Sequence, residues 1–244
     1  MKAKDSAENS VPLSYPGHRL MMGLWVAVAA LISIHVILTV VHYEVRELPW
    51  LLRQIFDVDE EDCLPTWYSA SALLLNAAVL GAWAAELRRR RDPSYFYWLG
   101  LAVGFTGLSV DEIAGLHETL NSLIEVSWTI PGMVVAALVA GIYVPFLLSL
   151  PRRTAVRFAI GGAVYLGGAI GVELATEPYL ENDELNTLAY NLWTAVEEGM
   201  EMGGVLIFLG ALFGHMRANG GVTLRLGGVA DPAPNAGDEP PAAR

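Results

Sequence analysis

Residues 20–41 read LMMGLWVAVAALISIHVILTVV, a run in which only His35 can carry a charge. A helix of that length measures about 33 Å, against a bilayer hydrocarbon core of about 30 Å. Its apolar residues fall on every side of the helix, so no face is left for water. It also exceeds the roughly 7–15 apolar residues of a cleaved signal peptide. The stretch predicts a membrane span that stays in the protein.

Working outward, five further runs pass the same length test: Trp67–Leu87, Tyr95–His117, Trp128–Leu150, Val156–Thr176 and Ala189–Phe213. The whole chain agrees. Of its 244 residues 54% are hydrophobic and 17% charged, with a mean hydropathy of +0.42; an average soluble domain is about 25% charged. That composition excludes a soluble single-domain enzyme. The net charge of −11 argues against nucleic acid as a partner, because no basic stripe exists to neutralise phosphates. A single cysteine, Cys63, excludes an internal disulfide or a cysteine-rich zinc site.

The fold expected is all-α: a polytopic membrane protein built as a six-transmembrane-helix bundle. Residues 20–217 form the membrane domain. Residues 1–19 and 218–244 are expected to be disordered tails, the second rich in Gly, Ala and Pro. Thirteen of the 15 Lys and Arg fall on one side of the six spans, leaving only Arg46 and Arg53 on the other. The positive-inside rule makes the first side cytoplasmic, with both termini there. A multi-pass protein of a bacterial inner (plasma) membrane, in contact with membrane lipid, follows. The Arg88–Arg91 run reads as a topology anchor and a contact for anionic lipid heads.

The acidic residues are distributed unevenly in depth. Asp111, Glu112 and Glu118 in the third span, Glu173 and Glu177 in the fifth, and Glu197, Glu198 and Glu201 in the sixth all reach the outer half of the membrane. His35, His42 and His117 reach the same layer. A carboxylate at the bilayer centre costs about 2.5–3.5 kcal/mol even on the lenient insertion scale, so such residues face the protein interior and find partners. No Lys or Arg lies within the apolar part of the spans concerned, which leaves protons, histidines or bound metal cations.

Helical geometry suggests where these groups point. Asp111 and Glu118 lie within about 20° of each other, on the side of the helix that carries Gly100, Gly104, Gly107 and Gly115. Small residues mark close helix contacts, so this side is expected to be packed. In the sixth span Asn191, Thr194, Glu197, Glu198 and Glu201 share one arc of about 120°. Glu173 and Glu177 are one turn apart but fall opposite most of the fifth span's glycines, which a different neighbour on each face would account for. The acidic loop 43–65 reads most simply as solvated, with cation attraction as its functional alternative.

Two motifs carry the chemistry: Asp-Glu-x4-His-Glu at 111–118 and Glu-Glu-x2-Glu-Met at 197–202. Together they resemble a widespread group of uncharacterised bacterial six-helix membrane proteins, over Tyr95 to Phe213. The resemblance implies the same six-helix fold and brings no activity with it. A standard di-iron site needs Glu-x-x-His pairs, and the chain has none. Nor does it carry a Ser-His-Asp order, a phosphate loop or a redox cysteine pair.

The leading expectation is therefore a divalent metal cation (Fe, Mn, Zn or Ca) held by Asp111, Glu118, Glu173 and Glu201, with His117, His35 or His42 completing the shell. Glu112, Glu197 or Glu198 would act as general acid or base on a lipid-like or quinone-like substrate. The site would face the extracytoplasmic side. The rival is a proton or divalent-cation transporter or channel using the same carboxylates, which needs access from both sides in turn.

Overall fold

The computed structural model describes residues 10–12, 18–116, 119, 127–221 and 223–225. Helix α1 (His18–Val40) continues through a widened, π-type turn at Val41–Val45. A short helix, α2 (Trp50–Phe56), precedes the hairpin of α3 (Leu64–Arg89) and α4 (Tyr95–Ala114). Then come α5 (Thr129–Ser149) and α6 (Arg152–Leu166), which runs through a second widened turn, Gly167–Val172, into α7 (Glu173–Glu181). The last and longest helix is α8 (Leu188–Ala218).

Five stretches are long and apolar enough to cross a membrane: His18–Val45, Leu64–Arg89, Thr129–Ser149, Arg152–Glu181 and Leu188–Ala218. The hydrophobic runs of the sequence thus reappear as helices, with ends that differ by a few residues. Helix α4 is about 30 Å long, but Asp111 and Glu112 cut short its apolar run.

Local chemistry sets the helix ends that matter here. Thr187 caps α8, its hydroxyl accepting the Tyr190 N–H at 3.3 Å. Cys63 caps α3, its sulfur accepting the Thr66 N–H at 3.4 Å, with Pro65 in the first turn. Helix α4 stops at Gly115, which is left-handed (φ +53°) and donates its N–H to the Asp111 carbonyl at 2.9 Å. The left-handed backbone favours glycine there, and the Glu61 carboxylate lies in the space that a Cβ would take.

Helix α8 is the axis of the bundle. Its Leu206, Leu209 and Leu212 are fully buried, and Phe208, Ala211, Leu212 and Met216 join Trp83, Trp98, Phe146 and Phe158 in one apolar core. Polar ties pin the neighbours. Asn76 of α3 donates to the Val205 carbonyl at 3.4 Å, Ser109 of α4 to Ala70 at 2.8 Å, and Tyr68 of α3 to Leu24 of α1 at 2.8 Å. Against α6 the packing is backbone on backbone: a Cβ on Gly204 would stop 2.7 Å from the Gly161 carbonyl oxygen.

The second widened turn explains the position of Glu173. In a regular helix Glu173 would sit about 140° from Gly168, whose backbone lies against α8. A π-type turn accommodates one extra residue, so the separation falls to about 40° and Glu173 swings toward α8.

One expectation needs correction: the glycine side of α4 is not uniformly packed. Gly100 meets the Tyr143 hydroxyl and Gly115 meets Glu61, but a Cβ on Gly104 or Gly107 would find no described residue within 4 Å. Helix α5 meets α4 at its Tyr143–Phe146 end, where Tyr143 and Phe146 pack on Tyr97 and Trp98. After α8 the chain turns at Gly220 and Gly221 (φ +84° and +70°), where Arg90 donates to the carbonyls of Asn219 and Gly221 at 2.8 and 2.9 Å. Strand β2 (Thr223–Arg225) then pairs antiparallel with β1 (Ser10–Pro12).

Candidate functional site

The acids that helical phase predicted on one arc of α8 open into a cavity of about 510 Å³. Glu197, Glu198 and Glu201 line it from α8, Asp111 and Glu112 from the last turns of α4, and Glu173 from the start of α7. Asp59, Glu60 and Glu61 close it from the loop between α2 and α3. Among the described residues, nine carboxylates and no Lys, Arg or His line this space. The volume falls within the roughly 300–1,000 Å³ typical of small-molecule sites.

Three aromatic side chains share the lining: Trp128, Tyr165 and Tyr190. Each also fixes an acid. Tyr190 donates its hydroxyl to Asp59 at 3.2 Å, and Trp128 donates its indole N–H to Glu173 at 3.4 Å. Glu201 lies against the Tyr165 hydroxyl. Thr66 lines the cavity as well, its hydroxyl donating to the Glu60 carbonyl at 2.8 Å.

The histidines expected beside these acids stand elsewhere. His35 is buried, with Nε2 3.1 Å from the Asn191 carbonyl and Nδ1 3.3 Å from the Val58 N–H. With its proton on Nε2 the ring donates to the first and accepts from the second, which leaves no lone pair for a metal. Phe56 O and the Asp57 carboxylate crowd the same Nδ1, at 3.3 and 3.5 Å. His35 is therefore a clip that fastens the acidic loop to α8. His42 is engaged likewise: Nδ1 accepts from Leu48 N–H at 3.1 Å, and Arg53 Nη1 lies 3.1 Å from Nε2. His117 and Glu118 lie outside the described residues. Among the described residues, no three His, Cys, Asp or Glu side chains form a group that could hold a metal ion.

Of the residues singled out from sequence, the structure thus brings Asp111, Glu112, Glu173, Glu197, Glu198 and Glu201 together. The acidic loop and the aromatic wall were missed. Tyr190 had a readable signal, since it lies within about 40° of Thr194, Glu197 and Glu201 on the helical wheel. Asp59, Glu60 and Glu61 had none, because a loop carries no period from which to infer a direction.

The fold and site define a class: a bundle of helices apolar enough to cross a membrane, with an acidic, aromatic-walled cavity at one end. Residues 21–216 match the family described as Domain of unknown function (DUF8692), and the chain belongs to it. No curated protein and no solved structure matches the chain.

Proposed function

We propose that this protein is a six-span membrane protein whose cavity captures a cationic small molecule from the outer side of the membrane. In this reading α4 is the sixth span, both termini are cytoplasmic, and the cavity opens away from the basic side of the bundle. The observation that carries the reading is the lining itself: among the described residues, nine carboxylates and three aromatic residues with no basic side chain, around a space of about 510 Å³.

A single metal ion needs several ligands within about 2.6 Å of one point. No metal-holding group of three is found among the described residues. An organic ammonium suits the chamber better, because carboxylates neutralise it while aromatic faces attract it through their quadrupoles. Glu112, Glu197 and Glu198 are then the groups able to take or give a proton at the bound molecule.

One-sided access distinguishes this reading from a carrier. Below the cavity, Val205, Leu206, Leu209 and Leu212 are buried, and Gly161 and Gly204 bring two backbones together. A carrier needs a second, inward-open state. A second reading keeps a divalent cation, favoured by the donor set: every polar side chain in the lining other than the Trp128 indole presents oxygen, as hard ions such as Ca²⁺ and Mn²⁺ require.

The test is thermal unfolding of the purified protein with tetramethylammonium, or with Ca²⁺ or Mn²⁺, at matched ionic strength. Binding to the folded state raises the melting temperature as ligand increases. The account expects tetramethylammonium to stabilise the wild type and to lose that effect in Glu198→Gln. Stabilisation by a divalent ion alone selects the second reading. No stabilisation by any of them removes both.

A further inference from the structure

Three acids of the cavity are each held by an aromatic side chain, and all three pairs are met along one line of α8. At the outer end Tyr190 donates its hydroxyl to Asp59 at 3.2 Å. Next comes Glu197, which lies against Glu173, the carboxylate that accepts the Trp128 indole N–H at 3.4 Å. Deepest is Glu201, against the Tyr165 hydroxyl. Positions 190, 197 and 201 fall within about 40° of one another around the helix, and the first and last stand about 16 Å apart along it. All of these side chains line the same space of about 510 Å³.

Each pair is a seat for an ammonium group, because the carboxylate neutralises the charge and the ring face attracts it. The seats form a ladder, and the ladder selects the shape of the occupant. A compact head such as tetramethylammonium fills one seat and leaves the acids of the others unmatched. A divalent metal ion carries more charge but cannot touch both ends of the ladder at once. A chain that bears an ammonium at intervals can do so, with its methylenes between the seats.

Building on the proposed capture of a cation, we infer that the cavity's ligand is a linear aliphatic polyamine. Two or more ammonium groups, joined by short runs of methylene, lie along α8 between the Asp59–Tyr190 seat and the Glu201–Tyr165 seat. The volume lies in the range that encloses an extended molecule and not only a single head. Linking the ammonium groups makes every capture after the first intramolecular, which raises affinity by about 10²–10⁴ without any new kind of contact.

The test is titration calorimetry on the full-length protein in nanodiscs of neutral lipid, at matched ionic strength. The probe is spermidine. The controls are butylammonium, which has one ammonium on a short chain, and Mg²⁺, which has charge without length. The inference expects one spermidine per protein, bound about a hundredfold more tightly than butylammonium and not displaced by Mg²⁺ at equal concentration. Asp59→Asn at the outer seat and Glu201→Gln at the inner seat should each weaken spermidine about tenfold or more. Butylammonium, which can use a remaining seat, should change less. Tyr190→Leu, which removes the ring of the outer seat, is the further variant should either of these not fold. Equal affinity for spermidine and butylammonium, displacement of spermidine by Mg²⁺, or variants that bind spermidine as the wild type does would overturn the inference. Stabilisation by tetramethylammonium would then still uphold the cavity. Failure of every amine, tetramethylammonium included, takes down both.

Discussion

Gly168, in the widened turn that follows α6, lies against the main chain of Glu197 on α8: a Cβ there would stop 2.7 Å from the Glu197 carbonyl oxygen and 3.0 Å from Glu201 Cγ. The same close approach that lets two helices touch also sets the height of two acids in the cavity. Packing and site are one feature at this position.

Gly168→Ala should therefore cost about 1–3 kcal/mol, the range for forcing extra volume into a packed contact. It should also weaken cation-dependent stabilisation. Gly162 is six residues away on the same helix and has no described neighbour within 4 Å. There the Ala replacement should be neutral or stabilising by up to about 1 kcal/mol, because Ala favours the helix over Gly. Melting temperatures of the two variants decide the matter; equal losses would mean that the α6–α8 contact is not limiting.

His35 is expected to act on stability. Removing its ring leaves the Val58 N–H without its acceptor, at a cost of roughly 1–3 kcal/mol, while the Asn191 carbonyl keeps the Thr194 hydroxyl at 3.0 Å. His35→Ala should lower the melting temperature, and with saturating tetramethylammonium the stabilising increment should remain. Complete loss of that increment with the fold intact, as judged by circular dichroism, would return His35 to the ligand set.

Burial pushes the Cys63 thiol up from its ordinary value, and its S–H is donated to the Glu60 carbonyl at 2.8 Å. The thiolate is the reactive form. Alkylation of the folded protein near pH 8 should run more slowly than that of the denatured chain, because less of the thiol is ionised. The linkage has the matching sign. Stability from the neutral thiol is complete below the unfolded pKa and is lost as pH rises through the higher folded value. Equal alkylation rates in the two states would show that the loop above the cavity opens freely.

Topology is checked separately. Reporters fused at Arg90, Arg153 and the C-terminus should be cytoplasmic, and those at Asp59 and Asp183 should lie outside. One reporter on the wrong face would invert the cavity.

Much of this was legible in the sequence, because a membrane span needs only length and apolarity, and the residues 20–41 have both. The acids of α8 were also placed correctly, since a polar arc on an otherwise apolar helix has one direction to face. What escaped had specific causes. Glu173 depends on a widened turn at 167–172 that shifts helical phase, and nothing in Gly-Gly-Ala-Ile-Gly-Val announces it beyond its glycines. The glycines of α4 promised a close contact on average, yet only Gly100 and Gly115 have one. The histidines matched a ligand set by depth alone; it took the loop at 56–58 and the carbonyl of Asn191 to account for His35.

The central claim is a cation cavity open at one end only, and thiol labelling tests it most directly. Single cysteines are placed in a Cys63→Ser background, where serine can still cap α3, and the protein is embedded in sealed vesicles of defined orientation. Glu197→Cys and Glu201→Cys should react with a membrane-impermeant maleimide from the outer side, and tetramethylammonium should slow the reaction. Leu206→Cys and Leu209→Cys, at positions fully buried in the bundle, should resist reagent from either side with or without the cation. Labelling of Leu206→Cys or Leu209→Cys from the cytoplasmic side would contradict the account, because it would reveal a hydrated route through the membrane and make the protein a carrier.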